Sequence, residues 1–220
     1  MRAGQRLVAP DGYEVMLFPL EYIYISQDEG GTPTHVGTLC IDFLGWGQNG
    51  RVYNCDYYAP CTCQLVNTSL DPSANMRIWQ SVDKVHFPDG TLDYITFQFG
   101  HDNNPPYSTV GTIVNQGDLI GHTGTAGYVT GDHVHYNVAV GQFAGGERVP
   151  PDNQWQLKNS VHIYNACYVN DTTIIEGYNH NWQIYQGGQP FPPYNAGDFM
   201  IMFDNISRTK RKEVEYGRSS

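Results

Sequence analysis

Residues 121–140 read Gly121-His122-Thr123-Gly124-Thr125-Ala126-Gly127-Tyr128-Val129-Thr130-Gly131-Asp132-His133-Val134-His135-Tyr136-Asn137-Val138-Ala139-Val140. The second half, His133–Val140, is a β-branched and apolar run, which reads as a strand. Side chains two apart in a strand share a face, about 6–7 Å from each other along the chain. His133 and His135 therefore face one site while Val134 enters the other side. One imidazole can hold a metal while the other stands beside it; a purely structural pair gives the same spacing. The first half carries four glycines within 11 residues. Glycines allow tight reversals and close backbone approach, so this is a loop shaped around something, or a long hairpin connection, that leads into the histidine strand.

Working outward, further short apolar and β-branched runs recur, among them Tyr13–Pro19, Val36–Phe43, Cys61–Val66, Leu92–Phe99 and Ser160–Tyr164. Turn signals such as Asp11-Gly12, Gly30-Gly31, Pro88-Asp89-Gly90 and Gly145-Gly146 separate them. No window holds a 3.6-residue apolar period over three turns. The architecture reads as mainly β, with antiparallel sheets and little helix. The composition agrees: in 220 residues there are 24 glycines, 16 tyrosines and 13 prolines, and only 15% of residues are charged. That balance excludes coiled coils and charge-driven disorder.

The formal net charge of −10 argues against nonspecific nucleic-acid binding. Five of the 12 cations (Arg208, Lys210, Arg211, Lys212 and Arg218) crowd the C-terminal end. They read as a solvated terminus or as a docking tail for an anionic partner. No stretch approaches the ~18 apolar residues of a membrane helix, and no apolar segment of a secretory signal follows the early arginines. The five cysteines (Cys40, Cys55, Cys61, Cys63 and Cys167) read mainly as buried small side chains, with a Cys55–Cys61 or Cys55–Cys63 bridge left open.

Two further histidines join the His133/His135 pair. His35 and Asp42 lie seven apart in Thr34-His35-Val36-Gly37-Thr38-Leu39-Cys40-Ile41-Asp42-Phe43. Asp42 sits between Ile41 and Phe43, where a carboxylate is costly to bury unless it is paired or bound to a metal. The alternative readings are a strand-end turn former and an exposed loop histidine. His101 ends the strand in which Ile95, Phe97 and Phe99 face one way, and Gly100 beside it lets the ring be aimed into a cleft or left in a turn.

The order His…Asp, strand-end His, glycine-rich loop, His-x-His resembles the LytM/lysostaphin-type zinc peptidases, peptidase family M23. Gly121-His122-Thr123-Gly124 through Thr130-Gly131-Asp132-His133-Val134-His135 matches the specific C-terminal motif of that family. The similarity spans roughly residues 13–140. It implies an M23 groove, with His35, Asp42 and His135 holding Zn²⁺ and His101 and His133 as the catalytic histidines. Three departures stand out. The first ligand pair is usually H-x-G-x-D, and the longer spacing here requires a bulge or wider turn after Gly37, with Asp56 as a fallback ligand. Asp132 replaces the common proline, and Tyr136-Asn137 replaces the common Phe-Glu.

Three protein ligands leave one position of a tetrahedral ion open, as a hydrolytic site requires. The resemblance implies a zinc endopeptidase acting on the peptide cross-links or stems of bacterial peptidoglycan. The seven-residue spacing resembles variants found in tailed-phage virion and lysis proteins. The expected setting is a phage tail tip, with other tail proteins as partners, or release to the cell wall as an endolysin; a virion or wall-binding module that keeps the fold without activity is the alternative. Neither nucleic acid nor membrane is an expected partner. The peptidase domain is expected over residues 1–170, followed over 171–220 by an aromatic-rich extension with the basic tail. His86, His162 and His180 gain no role from the pattern, and His122 stays open between substrate contact and turn residue.

Overall fold

All six residues of the strand Ile95–Gly100 are buried, so this strand has a core on each face. The computed structural model, which describes residues 1–185, places it inside a nine-stranded sheet. The neighbouring order is Ile113–Val114, Cys63–Asn67, Arg77–Ser81, Ile95–Gly100, Val134–Val140, Ile41–Phe43, Tyr22–Gln27 and Thr173–Glu176, with Ser160–Val161 also paired to Val134–Val140. Most pairings are antiparallel. Two are parallel, a departure from the sequence reading: Thr173–Glu176 along Tyr22–Gln27, and, in a separate small sheet, Glu14–Val15 along Val85–His86.

On one face Ile95, Phe97 and Phe99 join Trp79, Tyr136, Val138, Phe43 and Phe18 in the main core. Phe99 lies opposite Tyr136 in register, and the two rings stack with centroids 4.7 Å apart. Each such fully buried aromatic contributes roughly 1.5–3 kcal/mol over an exposed one. On the other face Thr96 and Gln98 lie beside Ala139 and Ile78. The hairpin Gly146–Val149/Gln154–Leu157 covers this face, packing Leu157 and Trp155 with Ile78 and Ala139. Asn137, on the same face, explains why a polar residue stands where an apolar one would be cheaper. Its amide Nδ2 donates to Leu39 O (3.2 Å), and its Oδ1 accepts from Leu157 N (2.9 Å) and Ser160 Oγ (3.0 Å). One side chain thus ties the covering hairpin and the approach to Asp42 onto the histidine strand.

Several local expectations change, and of the run Val36–Phe43 only Ile41–Phe43 is strand. Ser160–Tyr164 holds only a two-residue strand, Ser160–Val161, before a single helical turn Ile163–Ala166. Ile163 and Ala166, three apart, are the buried pair there, a helical spacing too short to register as a period. Tyr13–Pro19 keeps strand geometry only at Glu14–Val15; Met16, Leu17 and Phe18 are nonetheless buried and bond to His86 O, Pro60 O and Tyr168 O. All five cysteines are free thiols, which sets aside the open disulfides.

The start of the aromatic segment packs rather than protrudes. Trp182 meets Phe18 edge-on at 5.4 Å, and Tyr164 stacks on His180 at 4.2 Å. The basic tail at 208–218 lies outside the described residues. Among the described residues no helix is long and apolar enough to cross a membrane.

Asn137→Ala should lower the unfolding free energy by about 2–4 kcal/mol, because it strands two buried backbone groups as well as losing its own bonds. Urea unfolding followed by tryptophan fluorescence measures this. An unchanged midpoint would mean that Asn137 does not tie these elements together.

Candidate metal centre

Register brings the first two groups together. Asp42 lies directly opposite His135 in the antiparallel pair Ile41–Phe43/Val134–Val140, and Gly100 lies opposite His135 on its other side. Directly opposed residues of one face have Cβ atoms about 5 Å apart. Isoleucine and phenylalanine on either side of Asp42 point into the main core, which leaves the carboxylate on the hairpin-covered face. Its Oδ1 lies 3.0 Å from His135 Nδ1 and 3.2 Å from His35 Nε2, and those two nitrogens are themselves 3.2 Å apart.

His35 reaches this point from a turn that absorbs the long His35–Asp42 spacing. His35 N bonds to Gly31 O, and Thr38 closes back on His35 O through both its N–H and its hydroxyl. Gly37 takes φ +80°, and a Cβ there would overlap the carbonyl oxygen of Pro150 at the hairpin tip. The wide turn after Gly37 therefore exists, and glycine is needed both for its conformation and for the close approach. Asp56 lies elsewhere, 3.6 Å from His122 Nε2.

The three donor atoms form a nearly equilateral triangle. Ligands at about 2.0–2.1 Å from a tetrahedral zinc lie about 3.3 Å from one another, so the triangle has the right size. The donor set also has the right chemistry. His35 Nδ1 lies 3.2 Å from Asp28 O and can only donate to it, so the Nε2 lone pair faces the Asp42 oxygen. Two lone pairs at that separation attract only with a cation or a proton between them. Burial pushes the Asp42 carboxyl up, but the imidazoles of His135 and His35 set against it outweigh that and hold the group well below the usual carboxylate range. Burial lowers His135 below the usual imidazole range, against the pull of Asp42. These side chains fit a divalent zinc-like ion. No cysteine belongs to this donor cluster; burial pushes the thiols of Cys40 and Cys167 up to about 12 and those of Cys61 and Cys63 well above their ordinary value.

His101 and His133 flank the triangle. Their ring centroids are 4.6 Å apart, and His133 Nε2 lies 3.5 Å from Asp42 Oδ2. Each ring is oriented by a carbonyl: His101 Nδ1 donates to Ala126 O and His133 Nδ1 to Gly131 O, both at 2.8 Å. That leaves Nε2 of each ring as a proton acceptor. His101 adopts φ +78°, a left-handed conformation that a non-glycine residue holds only under constraint. Burial, with His135 and His133 nearby, lowers its pKa to about 4, so the ring is neutral near pH 7.

The glycine loop holds this pair. Gly124 and His133 exchange backbone hydrogen bonds, and a Cβ on Gly124 would overlap the His101 carbonyl oxygen. Asp132 is neutralised within the loop's base: it accepts from Thr123 Oγ1 (2.7 Å) and Asn54 N (3.1 Å), and Arg51 binds both its carboxylate and its carbonyl. His122 is held between Asp102 and Asp56, away from the groove lining.

The five residues open on a groove of about 600 Å³. Its walls include Asp71 and Met76 on one side, Tyr128 of the glycine loop, and Arg148 and Trp155 of the hairpin. The sequence reading missed the hairpin wall and the Asp28 carbonyl that orients His35. Asp28 is itself held by His180 Nε2 at 2.8 Å. Gly30-Gly31 beside it signalled a turn but nothing about a ligand support.

No family model matches the chain. The chain is similar to morphogenesis protein 1 of Bacillus phage B103, 39% identical over 172 residues, covering 78% of this chain and 45% of that protein. It thus spans less than half the length of that relative. Similar solved structures are M23 and lysostaphin-type peptidases. The catalytic domain of lysostaphin from Staphylococcus simulans is 18% identical, covering 61% of this chain and 85% of that one, with a TM-score of 0.39. A zinc-containing peptidase from Vibrio cholerae is 17% identical, covering 61% and 43%, with a TM-score of 0.40. A prophage-encoded M23 protein from Enterococcus faecalis is 19% identical, covering 61% and 88%, with a TM-score of 0.38.

Gly124→Ala should push the glycine loop away from His101 and lower the melting temperature by several degrees, consistent with a loss of about 1–3 kcal/mol. Differential scanning calorimetry measures it. A melting temperature equal to the parent's would show that the loop does not depend on this close approach.

Proposed function

We propose that the chain is a phage-encoded zinc endopeptidase that hydrolyses peptide bonds in the cross-links or stems of bacterial peptidoglycan. The observation that carries this reading is the triangle of His35 Nε2, Asp42 Oδ1 and His135 Nδ1 with edges of 3.0–3.2 Å, set beside two carbonyl-oriented imidazoles. His35, Asp42 and His135 are assigned as the zinc ligands. The bound ion would supply a Lewis acid for the scissile carbonyl and lower the pKa of the attacking water.

The chain's own residues supply the rest. The Asp28 carbonyl keeps the His35 lone pair pointed inward. Asp42 offsets one unit of positive charge and orients His135. His101 and His133, each oriented through Nδ1 by a carbonyl, are assigned to take the proton from water and to stabilise the developing oxyanion. Their shared environment suits them to act as a pair, because a proton taken by one raises the cost of protonating the other. Among the described residues that line the groove there is no glutamate, and the base is assigned to an imidazole.

The phage setting is supported by the similarity to a phage morphogenesis protein. It fits action on the wall from a virion tail tip, beside other tail proteins, or after release into the lysing cell as an endolysin. Residues 1–170 are proposed as the peptidase unit, and 171–220 as an attachment or substrate-facing extension, of which Thr173–Glu176 adds a strand to one edge of the sheet.

Zinc-loaded protein should release new amino termini from purified walls, and mass spectrometry of the fragments identifies the bond. A chelator should stop the release and added Zn²⁺ restore it. If zinc-loaded protein cuts no wall and no isolated cross-linked peptide, a non-catalytic virion or wall-binding module replaces this reading. His135→Ala should lose both zinc and cleavage. His101→Ala or His133→Ala should keep one zinc per chain and lose cleavage by about a hundredfold or more; unchanged cleavage in His101→Ala would remove it from the mechanism.

A further inference from the structure

The groove has two chemically different walls. Asp71, on one side, turns its Oδ1 back into its own loop, accepting from Ser73 N, Ser73 Oγ and Ala74 N. The hairpin, on the other side, presents Arg148. Among the described residues that line the groove it is the only lysine or arginine, and it forms no ion pair with any described carboxylate. Of the other described arginines, Arg2, Arg6 and Arg51 are paired to Glu21, Glu14 and Asp132, and Arg77, outside the groove lining, donates to the carbonyls of Tyr107 and Met76. In a chain of net charge −10, a cation left unpaired against a groove wall is a selective feature of that groove.

Arg148 is exposed and makes one hydrogen bond within the hairpin. Its NH1 donates to Asn153 O at 3.1 Å across the hairpin. The hairpin is fastened to the site: Leu39 N donates to Gln156 Oε1 at 3.0 Å, Leu157 N to Asn137 at 2.9 Å, and Pro150 abuts Gly37 in the His35 turn. The same elements that set His35 and Asp42 therefore also fasten the hairpin that carries Arg148. With NH1 occupied on one side, the guanidinium keeps a second edge for a carboxylate, the planar two-oxygen group that its fork matches.

We propose that Arg148 is a specificity-determining residue that pairs with a free carboxylate on the substrate peptide, so that the groove takes an acidic peptide in preference to its carboxamide form. This rests on the peptidase reading above. The Coulomb field of the chain repels such a peptide at long range; the contact with Arg148 reverses that locally and acts on KM more than on kcat.

Two synthetic cross-linked wall peptides, identical except that one free carboxylate beside the scissile bond is a carboxamide in the second, test it. Zinc-loaded wild type should cleave the acid form with kcat/KM about tenfold or more above the amide form, the scale of one charge-assisted contact. Arg148→Met should bring that ratio near one, and Arg148→Lys, which keeps charge without the fork, should fall between. A wild-type ratio near one, or a ratio unchanged in Arg148→Met, overturns the proposal. Calorimetric binding of both peptides to zinc-loaded His101→Ala, with and without Arg148→Met, separates the two levels of the argument. If neither peptide is cut but the acid form binds better through Arg148, the peptidase reading falls and the carboxylate contact stands. Equal binding of both forms sinks the contact.

Discussion

A carboxylate buried inside a sheet is the constraint on which the rest of this protein depends. Asp42 is 7% exposed, in a strand whose neighbouring residues are fully buried. Taking a carboxylate out of water costs several kcal/mol unless opposite charge and hydrogen bonds compensate. The compensation arrives from two directions. His135 faces it across the sheet by register, and His35 comes down on it from a turn whose shape depends on Gly37. The hairpin and Asn137 follow from the same requirement, since they shield the face on which the carboxylate stands and fasten the Leu39 approach to it.

A second regularity is the use of backbone carbonyls to fix imidazoles. His35, His101 and His133 each give the Nδ1 proton to a carbonyl, of Asp28, Ala126 and Gly131 respectively. His135 is the exception, with Nδ1 itself turned to the carboxylate. Carbonyls carry no titrating proton, so these orientations do not depend on the charge of the partner. They also explain the glycine content of the loops. Gly124 lets the loop lie against His101, and Gly127, at φ +88°, turns the chain just after Ala126. The C-terminal segment enters the same scheme, because His180 holds the Asp28 side chain whose carbonyl orients His35.

Much of this was legible in the sequence, for identifiable reasons. His135 lies on the strand Val134–Val140 and His133 is bridged to Gly124 just before it, so the extended backbone keeps the spacing of two on one face. Asp42 between two large apolar residues announced a buried charge in need of a partner. Mainly β architecture followed from turn signals at short intervals. What was not legible depends on contacts between distant segments. Ile163–Ala166 is a helix through two buried residues only, too short for a period to show. The parallel addition of Thr173–Glu176 to the edge of the sheet has no local signature. Arg148 reaches the groove and the Asp28 carbonyl reaches His35 only because of where a hairpin and a turn come to rest, and their own neighbours in the chain gave no sign of it.

The central claim is that one ion is shared by two imidazoles and one carboxylate. X-ray absorption at the zinc edge on protein loaded with one equivalent of Zn²⁺ tests it most directly. The account predicts stoichiometric zinc in a shell of nitrogen and oxygen alone, at about 2.0–2.1 Å, with the scattering signature of two imidazoles. A sulfur contribution at about 2.3 Å, or no zinc retained after desalting, would contradict it.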